Sequence, residues 1–250
     1  LIKAQGAGDA STGFYDFSID QSLRFNDDDS PMLSQTFSSG DTAKWTLSFW
    51  VKLGAITTAA KVFFGTNLAG ANNAGYIYIQ DSELKYWDTA LVWETDAIFQ
   101  DPSAWYNIVV ARDSAQSGAA KGKLYVNGTE ITNFDTDNRA GNIGASYINS
   151  ATTHYVGHNA SYPIDCYLAE MNFIDGAMLT AASFGETKSG IWIPKNTSGL
   201  TFGTNGFRLT FAEAGDLGAD SSHTVHDIFG DSSAVATYLF DDDITDEGGT

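Results

Sequence analysis

The stretch from Trp45 to Leu53 constrains this chain most. Trp45, Leu47, Phe49, Val51 and Leu53 alternate with Thr46, Ser48, Trp50 and Lys52. A period of two puts the first set on one face of an extended strand and the second set on the other. That is the pattern of a strand with one face in a core. No long stretch of the chain shows a helical apolar period, so strands have to build the fold.

Other segments repeat the message. Lys61 to Phe64 and Tyr76 to Ile79 read as strands, and Asp81-Ser82-Glu83 turns the chain into Leu84-Lys85-Tyr86-Trp87 as a hairpin. Trp105 to Arg112 is apolar on both faces, as a central sandwich strand would be. Asn127-Gly128 separates Lys123-Leu124-Tyr125-Val126 from Thr129-Glu130-Ile131, and a type I′ turn there needs positive φ at both central positions. His154 to Gly157, Cys166 to Ile174, Ile191 to Ile193 and Gly206 to Phe211 add further strands, with one helical turn at Thr180–Phe184 capped by Thr180. Short strands at fairly regular spacing predict an all-β, two-sheet antiparallel sandwich of jelly-roll type.

Composition agrees. The 250 residues are 43% hydrophobic and 13% aromatic, with 25 glycines and only 4 prolines, enough for a large packed β domain. Net charge is −18, carried by 24 Asp and only 7 Glu. Asp is a turn residue, so the acid sits mostly in loops. Such a field disfavours nucleic acid and anionic membrane as partners. The lone Cys166 cannot form an internal disulfide and reads as a buried small hydrophobe. No segment reads as long and apolar enough to span a membrane, and residues 1–20 do not read as a signal peptide. The chain opens on Leu1 and stops in a polar run, as a segment of a longer or processed chain would. Residues 1–20 read as a linker or loosely docked arm, 21–222 as the folded unit and 223–250 as a linker.

Four stretches in order resemble laminin G-like domains of the concanavalin A-like lectin/glucanase superfamily. They are Leu23-Arg24-Phe25-Asn26-Asp27, Trp45 to Lys52, Trp105 to Asp113, and Lys123 to Gly128; Tyr167 to Phe173 followed by Leu179-Thr180 resembles the closing motif. The resemblance implies the jelly roll. It usually places an acid where Ala169 stands, and Glu170 matches the next acidic position. The extension 185–222, with Ile191-Trp192-Ile193-Pro194-Lys195 and Gly203 to Phe207, is similar to segments appended to such domains in marine-phage structural proteins. That implies a virion surface module, such as a tail fibre, spike or capsid decoration. Its partners would be neighbouring virion subunits or copies of itself, and a host cell-surface glycan. Ala236 to Asp241 resembles the opening strand of a second repeat.

The chemistry points away from catalysis. Glucanases of the superfamily carry Glu-x-Asp-x-x-Glu on one strand, and retaining hydrolysis needs two carboxyls ~5 Å apart. This chain has no such motif, no Gly-x-Ser-x-Gly elbow, no zinc helix and no phosphate loop. A non-enzymatic recognition module is the expectation. Its rivals are a carbohydrate-binding module of a secreted bacterial enzyme, and a degenerate glycosidase with a second carboxylate facing Glu170. His154 and His158 on one strand would lie ~13 Å apart, too far for one metal, and His223 and His226 fall in a polar tail.

The resemblance also implies a structural Ca²⁺ near a sandwich loop. Asp27-Asp28-Asp29 is the candidate, with Asp175 approaching if the terminal strand pairs with the first. Asp241-Asp242-Asp243 with Asp246 is a second acidic run. Calcium takes about six to eight oxygen ligands. Indoles and phenols stack on the apolar C–H face of a sugar. Trp87 and Trp93 flank a loop-like stretch and, with Tyr86, are the expected exposed contacts; Trp45, Trp50 and Trp105 are expected in the core. Asn127, Asn159 and Asn196 start glycosylation sequons in turn-like positions, where chance matches are common.

Overall fold

The computed structural model describes residues 14–54, 58–66, 74–141, 144–157 and 162–222. His158, His223, His226, the Asn159 sequon, the acidic run at 241–246 and the second-repeat segment lie outside them.

Period-two segments become strands in the expected places. In chain order they are β1 (Leu23–Phe25), β2 (Leu33–Thr36), β3 (Lys44–Leu53), β4 (Lys61–Thr66), β5 (Gly75–Gln80), β6 (Glu83–Asp88), β7 (Leu91–Ile98) and β8 (Trp105–Asp113). There follow β9 (Gly122–Val126), β10 (Thr129–Glu130), β11 (Phe134–Asp137), β12 (Thr153–Val156), β13 (Cys166–Asp175), β14 (Gly185–Lys188), β15 (Ile191–Pro194) and β16 (Phe207–Leu209). The first sheet runs β1-β13-β3-β8-β9-β10, with β16 also paired to β13; the second runs β11-β7-β6-β5-β4-β12-β2. All pairings are antiparallel, which makes the molecule a jelly-roll sandwich.

The core lies between the sheets. Trp45, Leu47, Phe49, Val51 and Leu53 all point into it, meeting Phe63, Phe64, Ile77, Ile79 and Leu84 from the second sheet. Cys166 is fully buried there, and burial pushes its thiol well above its ordinary pKa. Asn127 (φ 48°) and Gly128 (φ 79°) form the turn between β9 and β10. Gly128 is required twice over, because a Cβ there would meet the Trp192 ring at 2.3 Å. The turn at Ala181–Ser183 is a single 3₁₀ turn, and the Thr180 side chain makes no capping bond.

The apolar outer face of β8 has a specific cause. The hairpin β14–β15 and its flanks fold over the outside of the first sheet. Phe184, Phe202 and Ala181 pack there on Val109 and Ile174, with Trp192, Leu200 and Tyr125 at the edge. The extension is therefore a third layer over half of one sheet. Val109 is fully buried although it points away from the main core.

A bulge breaks the β13–β3 register between Ala169 and Asn172, and Glu170 at φ 43° is its pivot. The buried Glu170 carboxylate accepts a hydrogen bond from Arg208 Nε (2.6 Å) on β16. Thr197 Oγ1 of the extension lies 2.8 Å from both Glu170 and Asn172. Glu170 thus ties the extension to the sheet.

Candidate functional site

Antiparallel register determines what stands side by side on the uncovered half of the first sheet. Ala169, Trp50 and Asn107 form one cross-strand row of β13, β3 and β8; Tyr167, Lys52 and Trp105 form the next. Trp50 is nearly buried, whereas Trp105 is 38% exposed. Ala169 has only a methyl group beside the Trp50 indole, so the surface sinks there. The hairpin supplies the third indole. Trp192 Nε1 donates to Asn107 Oδ1 (3.0 Å), which fixes the ring over the edge of the row. Asn107 is itself held, its Nδ2 donating to Phe49 O (3.3 Å) and its backbone N–H to Asn127 Oδ1 (2.8 Å).

Trp50, Trp105, Trp192, Ala169 and Pro194 form the apolar side of a cleft of about 440 Å³. Its other side is the extended segment 15–22, which brings Tyr15, Ser18, Asp20 and Gln21. Indole faces opposite hydroxyl, amide and carboxylate groups suit a ligand with an apolar face and a hydrogen-bonding rim. The cleft volume falls in the range of small-molecule sites, about 300–1,000 Å³.

The residues expected at such a site are placed differently. Trp105, expected in the core, is on the surface. It is the first residue of β8 and lies beyond the reach of the extension. Tyr86 and Trp93, expected as exposed contacts, are buried, at 3% and 1% exposure. The stretch between them is a tight turn at Thr89 (φ 64°), so Trp93 belongs to the strand interior. Tyr86 and Trp93 are cross-strand partners and therefore share the inner face. The Tyr86 hydroxyl finds its acceptor in Asp88 Oδ2 (2.6 Å), which permits a phenol in the core. Alternation then sends Trp87 outward. It is half-buried on the second sheet, stacked on Tyr76 at 6.2 Å and 19°. Tyr76 leans on Tyr78 at 5.0 Å, and burial pushes the Tyr78 phenol up to about 12. This platform lies on the opposite sheet from the Trp50–Trp105–Trp192 group.

The four aspartates proposed for calcium do not assemble. β1 pairs with the Cys166–Leu168 end of β13, so Asp175 is at the far end, roughly 30 Å along the strand at ~3.3 Å per residue. Its carboxylate accepts from Asp41 N (2.9 Å), Asn149 Nδ2 (2.6 Å) and Asn205 N (3.1 Å), which are donors and not a cation. Asp27 is ion-paired with Lys61 (2.7 Å), and Asp29 accepts from Asn26 Nδ2 (3.0 Å). Among the described residues no group of three His, Cys, Asp or Glu is placed to hold a metal ion. These residues do not fit a calcium cage.

His154 is a core residue. Its Nε2 accepts from Asn149 N (3.0 Å), which places the proton on Nδ1 toward Thr152 O (3.0 Å). Burial pulls its pKa down to about 4, and its ring stacks on Phe37 at 4.0 Å. Glu170 faces a guanidinium and a hydroxyl, not a second carboxyl.

Residues 25–182 match the family model described as the concanavalin A-like lectin/glucanases superfamily. No curated protein sequence matches the chain. Among solved structures, a putative carbohydrate binding protein from Bacteroides ovatus is similar at 12% identity and a TM-score of 0.53, over 73% of this chain and 50% of that one. Domain 4 of AbnA, an extracellular arabinanase from Geobacillus stearothermophilus, is similar at 18% identity and a TM-score of 0.40, over 55% of this chain and 63% of that one. Trypanosoma rangeli sialidase is similar at 14% identity and a TM-score of 0.42, over 56% of this chain and 22% of that one. The chain thus spans less than two thirds of each of these proteins. At such identities the likeness is one of fold.

Proposed function

The chain belongs to the concanavalin A-like lectin/glucanase superfamily, and we propose that within it this is a non-catalytic glycan-recognition module whose binding site is the indole-lined cleft on the first sheet. The observation that carries this reading is the convergence of Trp50, Trp105 and Trp192 from three separate strands around a depression floored by Ala169. A core would hide all three indoles, and here Trp105 is open to solvent. Hydrolysis has no support in the surroundings of Glu170, whose carboxylate is committed to Arg208.

Binding of the purified chain to a glycan array, followed by calorimetry, tests this. Trp105→Ala is expected to weaken binding about tenfold, ~1.4 kcal/mol, without lowering thermal stability. An unchanged affinity would remove the cleft from consideration. Trp87→Ala on the opposite sheet serves as the control.

We further propose that the module is displayed on a virion surface, among neighbouring subunits, where it contacts host glycans. The similarity of 185–222 to segments appended in marine-phage structural proteins supports this. Mass spectrometry of purified particles is expected to detect the chain, and its absence from intact particles would rule the placement out.

A further inference from the structure

We propose that the segment Tyr15–Ser22 is the specificity wall of the cleft, and that it restricts the site to uncharged sugar rings. This rests on the reading of the cleft as a glycan site.

Three observations lead there. First, the sheet-side lining is almost wholly apolar: three indoles, a methyl group and a proline ring. Stacking on such a surface reads hydroxyl pattern only coarsely, because most pyranoses offer at least one C–H face. Discrimination therefore has to come from the opposite wall. A site built to hydrogen-bond a hydroxyl discriminates far more strongly than apolar contact does.

Second, that wall holds free hydrogen-bonding capacity. Ser18 Oγ donates to Asp20 Oδ1 (2.9 Å), which orients the carboxylate. Among the described residues Asp20 Oδ2 and the whole Gln21 amide have no partner, so an acceptor and a donor–acceptor pair are available to ring hydroxyls.

Third, the charge on the wall is negative. Asp20 lines the cleft, Asp16 stands in the same segment, and the chain carries −18 overall. Two nearby cations are engaged. Lys188 pairs with Asp16 (3.3 Å), and Arg24 pairs with Asp165. Lys52 stands in the Trp105 row but does not line the cleft. A uronic or sialic carboxylate placed opposite the indoles would meet Asp20 with no cationic side chain lining the cleft to balance it.

Side-chain contacts help to hold the wall. Residues 16–22 form no backbone hydrogen bond to the sandwich among the described residues. Lys188 pairs with the exposed Asp16 and lies 5.8 Å from the Phe14 ring.

Calorimetry with a panel of neutral gluco-, manno- and arabino-oligosaccharides, and with oligogalacturonate and sialyllactose as anionic counterparts, tests the proposal. The native chain is expected to bind a neutral member and to bind the anionic ones at least tenfold more weakly. Gln21→Ala should weaken neutral binding severalfold. Asp20→Asn should narrow the neutral-to-anionic ratio. Both positions are exposed and outside the strands, so an unchanged melting curve will verify folding. If both variants leave affinity and ratio unchanged while Trp105→Ala weakens binding tenfold or more, the wall is refuted and the cleft stands. If Trp105→Ala also leaves a measured affinity unchanged, the cleft reading itself fails. Binding of no sugar in the panel overturns both.

Discussion

Single side chains here do work that depends on whether they are wet or dry. His154 is the clearest case. Its folded pKa is about 4, against an ordinary value near 6.5, because the ring is buried between apolar neighbours and accepts a backbone N–H. Below the unfolded value the unfolded chain takes up a proton that the folded chain refuses. The His154 contribution is therefore fully present above about pH 6.5 and is lost as pH falls toward 4. Each pH unit in that window removes up to ~1.4 kcal/mol. Urea midpoints measured from pH 7 to pH 4 for the native chain and for His154→Gln should converge as pH falls, since the carboxylates titrate in both. Parallel curves would show that His154 is protonated normally. At the same scale, the Tyr86–Trp93 pair shows how one tight turn at Thr89 moves two aromatic residues from an expected surface to the core.

At the scale of elements, the extension sets this sandwich apart from a bare two-sheet sandwich. The β14–β15 hairpin and its flanks bury the outer face of β8 under Phe184 and Phe202, and the hairpin delivers Trp192 to the cleft. Removing residues 185–222 would strip Phe202 from over Val109 and Ile174 and take Arg208 and Thr197 from Glu170. Truncating one partner of a buried ion pair costs about 3–5 kcal/mol, and lost apolar cover adds to that. A chain ending at Phe184 is expected to melt well below the full chain and to bind a hydrophobic dye such as ANS. A truncated chain as stable as the parent would mean that the third layer is decoration. The bulge at Glu170 is part of the same device, because it turns a carboxylate aside from the strand face to meet β16.

At the scale of the whole molecule, the acidic side chains among the described residues are not gathered into a cation cage. Asp27 and Asp175 sit at opposite ends of the first sheet, one held by Lys61 and the other by N–H donors. Thermal melts in millimolar calcium are therefore expected to match melts in sodium chloride of equal ionic strength. A calcium-specific rise in Tm, reversed by EDTA, would reveal a site that the described residues do not form. Both salts should stabilise the chain modestly, since screening relieves the self-repulsion of a net charge of −18.

Much of the architecture is legible in the sequence. Alternation in Trp45–Leu53, the turn at Asn127-Gly128 and the spacing of short apolar runs each encode a local geometry, and local geometry follows from the backbone periods and φ preferences of neighbouring residues. Those signals were enough for the class of fold and for the inner face of β3. The cleft was not legible, because it joins residues that no local period connects: Trp50 and Trp105 meet through β3–β8 register, Ala169 through β13, and Trp192 through a hairpin folded over the sheet. Trp105 opens an apolar run and Trp93 is followed by Glu94-Thr95-Asp96, yet tertiary packing leaves the first exposed and buries the second. Which face of a strand is polar or apolar is written along the chain; what lies on top of that face is settled only when distant segments compete to cover it.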